Sequence, residues 1–411
     1  VLGNRHPSTA FSLNNLARLL KSDGEYAAAR PLYEQSLEIC RENFGDSHPS
    51  TALGQNNLAL LLADLGERTL AENLSRQAAR TTIEQLVETA AGQGGGGQRA
   101  NAAAQRSLLD GWLSLATGPS AAPEALAWKG QVLARRIALA AVPETPATAA
   151  AKAELRQVSG RLAALAPAAP SDDETRTAWR AEVERLAAKR DSLERRIFAA
   201  GSAAAAVTDL DGLPAAVSAA LPPETAAIDL HAYSHYVAAP ERAAGRPKLE
   251  RRVLGFIYRP TAEQPDGPVR VDLGPEEEIA ELVERWRAVV TPRRPAPVED
   301  VEKAGRALRA AIWEPLSSHL DGCDTVLISP DGPLCRLPFP ALPGERPGSY
   351  LIEELAVAVV PVPRLLPLIV SARPAHADPG PVLALGGIDY ANPANSAGVP
   401  ATDLLVGGPD D

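Results

Sequence analysis

The sequence predicts an α plus α/β protein in three parts: a helical-repeat array, a long helical hairpin spacer, and a partial α/β sheet domain. Three observations predict it. A 42-residue repeat occupies the N-terminal end, apolar stripes at helical spacing fill the middle, and strand-type runs alternate with helices after about residue 201. The expected divisions are 1–88 for the array, 89–105 for a Gly/Ala linker, 106–200 for the spacer and 201–411 for the sheet domain.

Bulk composition narrows the function classes. A chain of 411 residues suffices for two or three ordinary cores. Its net charge of −10 argues against a general binder of nucleic acid or anionic membranes. No apolar run approaches the roughly 20 residues of a membrane helix, and no basic-then-apolar leader opens the chain. Cys40, Cys323 and Cys335 are odd in number and widely spaced, which fits a reducing cytoplasm better than a disulfide framework. No metal or cofactor is called for. Methionine is absent even at position 1, so the chain is expected to be a piece of a longer reading frame.

His6-Pro7-Ser8-Thr9-Ala10 recurs as His48-Pro49-Ser50-Thr51-Ala52, an offset of 42 residues. The register continues from Asn14-Asn15-Leu16-Ala17 to Asn56-Asn57-Leu58-Ala59, and from Gly24-Glu25 to Gly66-Glu67. Each unit reads as two helices. Proline suits the first turn, Leu13, Leu16 and Leu20 recur at helical spacing, and Gly24 or Gly66 supplies the turn. Leu2-Gly3 aligns with Phe44-Gly45, so the chain is expected to begin at the tail of a preceding unit. Tyr26 and Tyr33 are replaced by Arg68 and Ser75, which marks the second unit as the expected cap.

Through HPSTA, NNLA and GEYAAARPLYEQSLEI, residues 1–88 resemble the kinesin-light-chain type of tetratricopeptide repeat. The resemblance implies a groove that holds a protein or peptide partner. Asn15 and Asn57 are the candidate contact positions, with helix-to-helix hydrogen bonding as the other reading.

Gly92–Gly97 lacks the following Lys-Ser/Thr of a phosphate loop and reads as a flexible break. Beyond it, Leu126, Leu133 and Ile137 form one stripe, and Leu155, Val158, Leu162 and Leu165 a second. The third is Trp179, Val183, Leu186, Leu193 and Ile197. Ala166–Pro170 reads as a turn, and Ser171 with Glu174 as a capping box. The result is an antiparallel helical pair, expected to set the distance between array and sheet domain.

Strands are expected at Ala226–Tyr236, Arg252–Tyr258, Val269–Leu273, Thr325–Ser329, Leu355–Val360 and Val382–Leu385. Between them, one helix opens at Gly274-Pro275-Glu276 and buries Ile279, Leu282, Val283, Trp286 and Val290. A second runs near Val301–Leu320 until Pro315 disturbs it, and a short one lies near Leu365–Leu368. Alternation of this kind makes a partly parallel sheet.

VLISPDGPLCRLPFPALPGE, YLIEELAVAVVPVPRLLPL and LALGGIDY, in that order, resemble the first half of a CHAT domain, the caspase-like domain related to caspases and separase. The resemblance implies a cysteine-peptidase fold whose His and Cys follow the LALG strand, beyond Asp411. No catalytic residue is therefore assigned within this chain. Cys335 is expected to be a buried structural thiol, and Cys323 a turn residue. His231 and His235 share a strand face but lack a third metal ligand; His319 reads as a helix C-terminal charge, and Asp331-Gly332 as a turn. Two functions remain: the front of a proteolytic effector, or an adaptor with a degenerate CHAT domain.

Overall fold

A computed structural model describes residues 3–90, 95–130, 139, 142, 144–165, 173–200, 209–238, 248–290 and 297–371. The chain divides into Val1–Pro367 and Leu368–Asp411, and of the second unit residues 368–371 are described. Gly92, Leu133, Ile137, the Ala166–Pro170 turn, Ser171, His376 and the expected strand Val382–Leu385 lie outside the described residues.

The array is built from α1 (Pro7–Ser22), α2 (Tyr26–Phe44), α3 (Pro49–Asp64) and α4 (Arg68–Ala90). HPSTA works the same way in both units. The imidazole Nδ1 of His6 or His48 accepts from the amide of Ser8 or Ser50, each at 3.1 Å, which satisfies a free donor of the first turn. Thr9 and Thr51 reach back with their hydroxyls to the carbonyls of Gly3 and Gly45, at 3.1 and 2.7 Å. Ala10 and Ala52 are fully buried where neighbouring helices approach. Gly24 and Gly66 turn the chain at φ +86° and +79°, a left-handed conformation that costs glycine no Cβ clash. The units differ on one face: Leu58 and Leu61 are buried, whereas their counterparts Leu16 and Leu19 are exposed.

The expected linker and cap are corrected by α5 (Gly95–Leu115). Residues 95–105 are helical, and α5 packs on both α3 and α4. Ser75 is wholly buried there, not part of an open end. Its small side chain lies beside Gly111 of α5, 3.5 Å from where a Cβ would sit. The same Cβ would stand 2.3 Å from Oδ1 of Asn56, itself buried. At Gly111 close approach of α5 to α3 and α4 is the reason for a glycine. Two substitutions separate the effects. Gly160 in α7 (Pro146–Leu165) is exposed and meets nothing within 4 Å. Gly160→Ala is expected to stabilise by ~0.8–1 kcal/mol through helix propensity. Gly111→Ala gains the same term but overpacks a closed contact, for a net loss of ~1–2 kcal/mol in urea unfolding.

The middle hairpin is α7 with α8 (Asp173–Ala200), joined by Val158, Leu186, Leu193 and Ile197. It does not hold the array away from the sheet. One apolar core runs directly from α4 (Ala79, Ile83) through α5 (Leu109, Trp112, Leu113) to the sheet (Tyr233, Phe256, Tyr258). Helices α6 (Ala122–Trp128) and α9 (Leu213–Ala220) complete that layer. Stripe periodicity reports that a face is buried, not what covers it.

The sheet contains β1 (Thr225–Val237), β2 (Lys248–Tyr258), β3 (Val269–Pro275), β4 (Thr325–Ser329) and β5 (Ala356–Val359). Its order is β3-β2-β1-β4-β5, antiparallel on the β2 side of β1 and parallel on the β4 side. Alternate residues of β1 serve opposite faces. Ile228 and Leu230 pack toward α10 (Glu276–Val290), α11 (Val298–Leu308) and the buried Trp313; Ala227 and Tyr233 pack toward the array-side core. The second helix breaks where expected. Residues Arg309–Trp313 form a π-helical turn just before Pro315, whose ring nitrogen has no hydrogen to donate to the preceding turn.

Candidate functional site

The two asparagines expected on the array face are placed differently. Asn57 is half-buried and donates from Nδ2 to Oδ1 of Asn14 at 2.9 Å, a bond between the first helices of successive units. Asn15 is exposed.

A second site lies where array and sheet meet. Strand β4 pairs with β1 only as far as Asp229, so the remainder of β1 projects past it with an edge facing α5. Side chains hold that edge in place of a strand. Lys129 donates to the Leu230 carbonyl at 2.7 Å, and Asp331 accepts from the Ala232 amide at 3.0 Å. From α5, Arg106 donates to the Ala232 carbonyl and Asp110 accepts from the Ser234 amide. Ser114 accepts from the Tyr236 amide at 2.9 Å. An edge so engaged is not a template for strand addition.

At the far end of β1, Tyr236 donates its hydroxyl to Asp64, the last residue of α3. Lys21, in the last turn of α1, lies 3.5 Å from the same carboxylate and 4.7 Å from the centre of the tyrosine ring. All three residues are less than a tenth exposed. One buried cluster thus joins both repeats to the central strand.

A third group sits beneath the C-terminal end of β4. Nζ of Lys129 donates to Asp229 at 2.8 Å, to the Leu230 carbonyl and to the Ser329 carbonyl, so its three protons are used. Nε2 of His231 is 2.9 Å from the other oxygen of Asp229. Asp229 is fully buried, and burial pushes its carboxyl pKa up; the adjacent His231 and Lys129 more than reverse this and hold it at about 2. Burial pushes the Tyr258 hydroxyl well up in pKa, with Asp229 adding to the effect. His231 is therefore a buried, bonded residue, whereas His235 on the same face has its Nδ1 3.3 Å from the Tyr233 hydroxyl. Sequence reasoning missed Asp229 and Lys129. The available clue was an acid two residues before a histidine inside an apolar strand.

Cys335 corrects an expectation: its residue is exposed. It belongs to a 3₁₀ turn, Gly332–Arg336, whose other residues Pro333 and Leu334 take the buried positions. Burial of part of the side chain raises its thiol pKa, as does Asp331 nearby, so it is not an activated thiolate. Cys323 is half-buried, and its thiol is likewise raised by burial. Among the described residues neither thiol bonds to a histidine, and no cluster of three metal-ligating side chains occurs. Asp331 caps the turn through Gly332 at 2.9 Å, and Gly332 needs its φ of +55°. His319 is exposed, two residues beyond the helical turn Glu314–Ser317.

Glu124 of α6 is wholly buried yet carries three donors: Arg76 and Arg80 of α4, at 3.2 and 2.7 Å, and the Trp112 indole at 2.9 Å. Asp211 engages both guanidinium groups from the other side. A groove of about 490 Å³ opens beside them, between Asp46 and Ser47 and the helix residues Asn73 and Gln77. Its arginines are already neutralised, so it offers no spare cation to an anionic ligand.

Comparison with known families agrees with the architecture. The tetratricopeptide-repeat family matches residues 8–84, and the CHAT-domain family matches residues 302–407. The second match starts within α11, while β1 to β3 upstream share one sheet with the matched β4 and β5. No curated protein matches the chain. Among the described residues, no helix is long and apolar enough to cross a membrane.

Proposed function

From a chain that joins tetratricopeptide repeats to a CHAT domain, we propose a receptor–effector protein. Its array binds a protein or peptide, and its CHAT domain is of the caspase-like cysteine-endopeptidase kind, with His and Cys supplied beyond residue 411. Repeats of this class generally mediate protein–protein interaction. The observation that carries the reading is the core shared by α4, α5 and the sheet, the same sheet that holds the CHAT-matched strands β4 and β5. Asn15 is the array position we assign to contact, because it is exposed while Asn57 is engaged with Asn14.

Cleavage, in this reading, uses the thiolate of a cysteine beyond residue 411, with histidine as base and backbone amides stabilising the oxyanion.

Affinity capture with the parent chain and with Asn15→Arg tests binding. A protein partner recovered by the parent and lost with Asn15→Arg is expected; equal recovery by both overturns the assigned face. Incubated with an unfolded protein substrate, this polypeptide is expected to cleave nothing. Hydrolysis abolished by Cys335→Ala would refute the placement of the nucleophile beyond residue 411.

A further inference from the structure

We propose that the groove along α4 binds an extended peptide segment carrying a lysine or arginine side chain. This surface is separate from Asn15 and does not depend on it. Its floor is one face of a single helix. Asn73, Gln77, Thr81 and Glu84 follow one another at steps of four, four and three residues, which sets them in one stripe of α4. Its wall is the turn between repeats, Asp46 and Ser47, tied to α4 by the Gln85 amide, which donates to the Ser47 carbonyl. The space between is about 490 Å³, in the range of ligand sites, and every residue lining it is polar.

The polar groups of that stripe are unspent. Among the described residues, the side chains of Asn73, Gln77, Thr81 and Glu84 meet no hydrogen-bond or ion-pair partner. Thr81 is 7% exposed and its hydroxyl is unbonded, whereas the adjacent Thr82 folds its hydroxyl back to the Ala78 carbonyl at 2.8 Å. A polar group so enclosed gains from a partner that arrives with a ligand. Spacing selects that ligand. Asn73, Gln77 and Thr81 rise along the helix in steps of ~6 Å. Alternate residues of an extended chain face the same side and repeat at ~6.6–6.8 Å. Each carboxamide offers both an N–H donor and a C=O acceptor, the complement of a peptide group. Charge selects the side chain. Glu124 and Asp211 neutralise Arg76 and Arg80, and Arg41 pairs with Asp46, so Glu84 is the groove's unpaired charge. Three residues beyond Thr81, that carboxylate receives an ammonium or guanidinium and repels an acid.

A ligand-observed NMR titration of the full chain with the blocked peptide acetyl-Thr-Val-Thr-Val-Lys-amide tests this. Saturable binding with a Kd of ~0.1–1 mM is expected. Gln77→Met removes the amide at nearly constant length and is expected to weaken binding about fivefold. Glu84→Gln is expected to weaken it about threefold and to abolish the preference over the same peptide ending in glutamate. Both residues are exposed, so helix content and the urea midpoint are expected to match those of the parent chain. No saturation, or saturation that neither substitution alters, overturns the proposal. Equal affinity for cadaverine, a diamine without peptide groups, overturns it too, because the groove is then an amine site. Loss of partner capture through Asn15→Arg reports on α1, so the binding reading above stands or falls separately.

Discussion

Lys129→Met is expected to lower stability by ~3–5 kcal/mol, read as a lower urea midpoint with an unchanged slope. The lysine stem packs similarly as methionine, so cavity formation contributes little. What is lost is the lysine on Asp229, a carboxylate with no exposure, together with donors to two carbonyls. His231 remains on the other oxygen but leaves the buried charge short of one partner. The pH dependence of the parent protein carries the same information. Asp229 titrates at about 2 in the fold, against about 3.9 when unfolded. The unfolded chain therefore binds the proton more readily, and stabilisation of roughly 2–3 kcal/mol is fully present above about pH 5. It is lost as pH falls toward 2. Asp229→Asn should remove that part of the acid slope, and an unaltered slope would rule out Asp229 as its source.

The second large effect lies at the seam between array and sheet. Glu124→Leu is expected to cost ~2–4 kcal/mol. Leucine leaves the Trp112 indole N–H in the core without its acceptor, a loss of about 1–3 kcal/mol. Arg76 and Arg80 suffer less, since both are partly exposed and keep Asp211. Their guanidinium groups also contribute to holding the Asp211 carboxyl below its ordinary range, Arg80 most strongly. Trp112→Phe isolates the indole bond, and a double-mutant cycle between Trp112 and Glu124 should give a coupling of ~1–2 kcal/mol. Additive losses would show that Glu124 acts through the arginines alone.

Much of the local structure was legible in the sequence because its determinants are local. The HPSTA pentapeptide specifies a cap, a first-turn proline and a back-bonding threonine within five residues, and each does the same thing in both units. Strands β1, β2, β3 and β4 were marked by β-branched runs, and the helix break by Pro315. The surroundings of the two asparagines were half legible. Periodicity places Asn15 and Asn57 at equivalent positions, but only a neighbouring unit decides that one meets Asn14 and the other meets solvent.

The sequence by itself determined the repeat, its 42-residue register, the mixed order of helices and strands, and the resemblance to a TPR–CHAT chain. Tertiary structure alone decided that α5 extends the stack, that Ser75 is buried, that Cys335 is exposed and that the hairpin separates nothing. It alone brought Lys129 to Asp229 and Tyr236 to Asp64. Periodic patterns record which side of an element avoids water. They do not record which distant element arrives to exclude it, because that choice is made by chain path and close packing.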